Sequence, residues 1–151
     1  MKMLSTIMLA LALTASPARA DDEAPSGDLA KLQGKWTSMG GPARDTPVLL
    51  ELKGTTVTMS AKFADGQTRT MVQGTIKVDE KAKPRAIDFL KCKGPLDGPL
   101  PDTQAIYDLD GDTLKIAYPK KGPEDRPTEF PKDEKDRACV VWKRAKDEAP
   151  K

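Results

Sequence analysis

Asp108-x-Asp110-Gly111-Asp112 is the densest run of oxygen donors in the chain, and it invites a calcium reading. An EF-hand loop needs Gly at its sixth position and Glu at its last, which here are Thr113 and Pro119. The pattern fails. Asp110-Gly111 instead has the composition of a tight hairpin turn, where Gly accepts the positive φ that such turns require. Cys92 and Cys139 are the other reactive pair, and they lack the Cys-x-x-Cys spacing of a redox catalyst. There is no histidine among the 151 residues. That absence removes the commonest general base, the usual activator of a nucleophilic Ser or Cys, and the commonest zinc ligand. Ser26, Ser38 and Ser60 therefore have no histidine to activate them, which leaves a lysine as the conceivable base, and nothing in the sequence points to one. The 23 Asp and Glu could supply a carboxylate pair of the glycosidase type, but they sit in charge-mixed loops or on polar strand faces. The expectation is a chain that is not an enzyme and that carries neither metal nor cofactor.

Composition narrows the alternatives further. The length suits one domain, and 25 Lys and Arg stand against 23 acids, a formal charge of +2. A nucleic-acid binder would show an excess of basic residues on one face, so none is expected as a partner. Residues 1–20 read as a secretory signal peptide: Lys2 gives the positive start, Met3 to Ala15 is largely apolar, and Ala18-Arg19-Ala20 is a small-x-small cleavage site. The apolar run is shorter than the roughly 20 residues a spanning helix needs, so no membrane span is expected. Cleavage would take Lys2 and Arg19 with it and bring cations and carboxylates into balance. The mature protein is then expected to be exported, periplasmic or extracellular, where Cys92 and Cys139 could pair as a disulfide.

Residues 21–28 form an acidic leader with no apolar pattern, read as disordered. Asp28 could cap a helical turn over Leu29 to Gln33, with Leu29 and Leu32 facing the body. From Gly34 onward, apolar residues recur at every second position, the period of a half-buried strand. Val48, Leu50 and Leu52 alternate, as do Val57, Met59, Ala61 and Phe63. Val72, Ile76 and Val78 follow, then Ile87 with Phe89, Tyr107 with Leu109, Leu114 with Ile116 and Tyr118, and Val140 with Trp142. Lys53-Gly54, Ala64-Asp65-Gly66 and Asp110-Gly111 are tight turns. With the segment around Trp36 this makes about eight antiparallel strands, which close as an up-and-down barrel or pack as a two-sheet sandwich. In a meander alternate links share an end: Lys53-Gly54, 79–84 and Asp110-Gly111, all short, fall at one, and 40–47, 64–66, 93–102 and 119–136, three of them long, at the other. One end is closed and the other loop-rich. The same alternation turns Cys92 and Cys139 outward on strands that are not neighbours, which opposes a disulfide.

Leu32-x-Gly34-x-Trp36 resembles the first-strand motif of lipocalin-like barrels. Tyr107-x-Leu109-Asp110-Gly111-Asp112-Thr113-Leu114-Lys115-Ile116, Arg126-Pro127-Thr128-Glu129-Phe130 and Trp142-Lys143-Arg144 resemble more specifically a small exported lipocalin-like domain of planctomycete proteins. The likeness spans Leu29 to Arg144. It implies an eight-stranded barrel over 29–144 with a polar tail at 145–151, and it brings no catalytic residues. It also implies that Trp36 packs at the closed end beneath a basic residue of the last strand, with Trp142 and Arg144 reaching it.

Two roles follow as expectations. The first is a binding module that takes a small apolar ligand into the barrel mouth, with Phe63, Phe89 and Tyr118 near the loops and Val72 and Tyr107 deeper. The second is a structural or protein-interaction domain of the cell envelope, its barrel filled, with Met39, Met71, Ile106 and Val141 as apolar points on otherwise polar faces.

Overall fold

A computed structural model describes residues 25–40, 44–133 and 136–146; the signal-peptide reading at 1–20 and the last residues of the tail lie outside the described residues. Eight antiparallel strands close in sequence order: β1 Gly34–Gly40, β2 Thr46–Lys53, β3 Thr56–Lys62, β4 Thr68–Asp79, β5 Ala86–Lys93, β6 Thr103–Asp110, β7 Thr113–Ala117 and β8 Cys139–Arg144. The barrel, not the sandwich, is the solution adopted. Each strand turns its alternate apolar residues inward, so Trp36, Leu50, Leu52, Val57, Ile116 and Trp142 join one buried cluster. No helix among the described residues is long and apolar enough to cross a membrane.

The helical turn begins earlier than the sequence suggests. Helix α1 is Gly27–Leu32, with Ser26 at its N-cap and Asp28 inside it and only 6% exposed. Asp28 is therefore neither a cap nor part of a disordered leader. The helix lies across the closed end, where Gln33 is the clamp: its amide donates to Gly54 O at 3.0 Å and its Oε1 accepts from Gly54 N–H at 2.6 Å. Gly34 then turns the chain into β1 with φ +110°, a conformation that side chains rarely tolerate.

Two bulges break the simple alternation. Between β3 and β4 the register shifts at Met59/Ser60, leaving Met71 extra and setting Arg69 opposite Ala61. Between β4 and β5 it shifts at Gln73/Thr75, where Lys91 takes φ +50°. This second bulge reverses the parity of β5 beyond Phe89, so Cys92 points into the core at 5% exposure rather than outward. Gly74 makes the bulge possible. A Cβ there would stand 2.5 Å from Cys92 Sγ and 2.8 Å from its Cα. Gly74→Ala is expected to destabilise the barrel by about 1–2 kcal/mol through overpacking, read as a lower urea midpoint with an unchanged m-value.

The link from β7 to β8 is not a free flap. Pro123 O accepts from Gln104 N–H at 2.8 Å, and the Arg126 guanidinium donates to Ala105 O at 2.8 Å and to Asp88 at 2.6 Å. Ala86, Ile106 and Ala117 are register neighbours on the outer face beside these anchors, and all three are buried. Ile106 is thus no exposed sticky point: the Arg126 segment closes over it as a second small apolar layer.

Candidate functional site

The closed end is built around Trp36, which is 0% exposed. Its indole N–H donates to Leu32 O at 2.9 Å, and the Arg144 guanidinium lies 4.2 Å from the ring centroid. Arg144 in turn donates to Lys31 O, Gln33 O and the Asp112 carboxylate, tying helix, first strand and last turn together. A cation over an indole face adds roughly 0.5–2 kcal/mol to the burial term. Trp142 sits one layer above, paired across to Leu114, and its buried Nε1–H has no acceptor among the described residues.

A polar lock stands beside this plug. Tyr107 O–H and the Arg85 guanidinium both donate to Asp28 Oδ2 at 2.8 Å, and Arg85 also reaches Asp108 at 2.7 Å. Burial pushes the Asp28 carboxyl up, but hydrogen bonds from Tyr107 and Arg85, with the Arg85 and Lys31 charges, outweigh it and hold it below the usual carboxylate range. Burial and the same carboxylate push the Tyr107 phenol up, so it stays a proton donor. Asp108 and Asp112 of the acidic run are thereby committed to Arg85 and Arg144.

The five residues expected at the ligand cup do not assemble into one. Tyr107 is turned to the closed end by Asp28. Phe63 is at the β3–β4 hairpin, outside the core cluster, with the Arg69 guanidinium 4.9 Å from its ring centroid. Only Phe89 and Tyr118 meet directly, ring centroids 5.8 Å apart, and Val72 packs against the same cluster. The Tyr118 phenol is pushed up first by burial and then by the fields of Cys139 and Cys92. Both cysteines are free thiols, raised by burial, Cys92 inside the barrel and Cys139 half-buried on the outer face. Phe89 and Tyr107 belong to the buried cluster that Trp36, Leu50, Val57 and Trp142 share, with Val72 and Tyr118 partly buried against it.

Open space lies elsewhere. The β1–β8 ladder holds only the pairs Trp36↔Arg144 and Thr37↔Lys143, although the strands are seven and six residues long. Beyond it the two strands part, with Ser38 Oγ–H donating to Val141 O at 2.8 Å as the remaining stitch. A groove of about 860 Å³ runs along this seam towards the loop-rich end. Its floor includes Met39, Pro47, Leu49, Val140 and Val141, with Met39 50% exposed. None of the five expected cup residues lines it. No protein-family model, curated protein or solved structure matches this chain. The fold itself, an eight-stranded closed antiparallel barrel, is compatible with the lipocalin-like architecture. The seam left no mark in the sequence, because β1 and β8 each alternate normally and only their mutual register ends early.

Proposed function

We propose that the chain is an exported, non-catalytic binding module whose site for a small apolar ligand is the β1–β8 seam groove. Membership of the small exported lipocalin-like family of planctomycetes belongs to the same reading, resting on the motifs from Tyr107 to Phe130. The observation that carries the binding role is the groove itself: an apolar floor on a strand seam, beside the buried cluster of the barrel. The β1–β8 ladder ends at Thr37↔Lys143, before Met39 and Val141. The open seam keeps them available.

The test is titration of the mature protein with N-phenyl-1-naphthylamine, an uncharged dye that brightens in apolar sites. Saturable binding is expected, together with its loss in Leu49→Glu and in Val141→Glu, both of which should keep the barrel's circular dichroism. Undiminished binding in both variants would move the site away from the seam. A second reading, a structural or protein-interaction domain of the cell envelope, is favoured by one feature. Leu96 is fully exposed at the tip of the β5–β6 loop, with φ +60° and Asp97 beside it at +58°. A left-handed Leu costs about 1–2 kcal/mol, so the loop spends stability to display an apolar side chain. A protein captured stoichiometrically from the envelope fraction, and lost with Leu96→Ser, is the outcome that reading requires.

A further inference from the structure

The charges around the seam groove are one-sided. Arg44, Lys62, Arg137 and Lys143 line it, and no carboxylate does among the described residues. This stands out in a chain where acids and bases are nearly equal in number. The cations are also sorted by position. Lys62 closes β3, Arg137 precedes β8 and Arg44 precedes β2, so all three stand at the loop-rich mouth. Lys143 is at the other end, paired with Thr37 and donating to Thr113 Oγ1 at 2.9 Å. Arg44 shares its field with Asp136, whose carboxylate is held by Lys120. Lys62 and Arg137 form no ion pair among the described residues.

The geometry points to a single-chain anionic amphiphile as the occupant: an alkyl chain along the seam floor, and a carboxylate or phosphate head at Lys62 and Arg137. This rests on the binding role proposed above and specifies its ligand class. Along β1 the groove runs from Thr37 to Gly40 at ~3.3 Å per residue, about 10 Å of track for a medium-length chain, with Met39, Leu49 and Val141 supplying its apolar contacts. The head remains at the solvent edge, so neither it nor the cations need be stripped of water. Each exposed ion pair is therefore worth only roughly 0.2–1 kcal/mol. Two of them amount to about tenfold in affinity, a preference added to apolar binding rather than a replacement for it.

The experiment compares decanoate, decyl phosphate, decanol and decyltrimethylammonium by isothermal titration calorimetry on the mature protein, at low and high salt. Both anions are expected to bind about tenfold more tightly than decanol at low salt, and the cation more weakly than decanol. The preference should shrink as salt shortens the screening length. The Lys62→Gln/Arg137→Gln double variant should bring decanoate to the affinity of decanol and leave decanol unchanged. Decanoate tighter than decyl phosphate assigns the head to free fatty acids; the reverse order assigns it to lipid phosphates. Equal affinity for decanoate and decanol, or an anion preference that survives the double variant, overturns the anionic head while leaving the apolar groove standing. Failure of all four probes to bind overturns the groove as a binding site, and this inference with it.

Discussion

Trp36→Ala is expected to cost about 3–5 kcal/mol in equilibrium unfolding, the range for large aromatic truncations in a packed core. The substitution removes the largest fully buried side chain of the closed end. It also strands Leu32 O, which accepts from the indole, and leaves the Arg144 guanidinium over an empty hole. Arg144 cannot follow the cavity inward, because its donors are engaged by Lys31 O, Gln33 O and Asp112. The site therefore collapses poorly, which places the cost high in that range. Against the ~5–15 kcal/mol that holds a typical domain, such a loss takes a large share of the barrel's stability. Urea denaturation of the protein checks it. A change below about 1 kcal/mol would mean that the plug does not close the barrel.

Asp28→Asn carries the second-largest expected effect, about 2–3 kcal/mol at pH 7. A fully buried ion pair broken on one side costs roughly 3–5 kcal/mol, and Arg85 is discounted because its side chain keeps 29% exposure. The acid dependence discriminates this from simple misfitting. Because Asp28 is held ionised below its ordinary range, the folded state binds its proton less readily than the unfolded chain does. The stabilisation is fully present above the unfolded value near pH 4 and is lost as pH falls through the depressed folded value. Wild type and Asp28→Asn should therefore differ most at neutral pH and converge as pH falls through that depressed value. Parallel stability curves down to that pH would assign the loss to packing and not to the carboxylate. Tyr107→Phe should show a smaller loss of about 1–2 kcal/mol with the same acid trend, since one donor to the same carboxylate is removed.

The barrel was legible because its information is local. Strand period is set by which neighbours along the chain are apolar, and turn position by residues such as Asp110-Gly111 that tolerate φ above zero. Trp36 beneath Arg144 was legible for a related reason: closure of a meander forces first and last strands together. The corrections all concern residues whose surroundings come from afar. Cys92 turned inward because one inserted residue opposite Gly74 reversed the parity of β5. Tyr107 left the cup because its hydroxyl finds an acceptor 79 residues away, on a helix read as starting after Asp28. Ile106 lost its exposure to a segment whose prolines and charges announce a surface loop, and which Arg126 nevertheless pins down.

By itself, then, the sequence determined the class and count of the strands, the positions of the tight turns, which end of the barrel is closed, and the absence of histidine chemistry. Each of these depends on residue type and spacing over a few positions, which tertiary context rarely overrides when the pattern is strong. Only the tertiary structure decided where space remains. Whether a barrel holds a cup is a matter of volumes summed over all eight strands, and residues such as Phe89 and Tyr107, which join the buried cluster, read equally well in the sequence as cup lining. Where β1 and β8 part is a matter of strand register at closure. A ladder that stops after Thr37 and Lys143 has no signature in either strand alone, because an unpaired backbone edge is written in the relation between two segments and not in the residues of one.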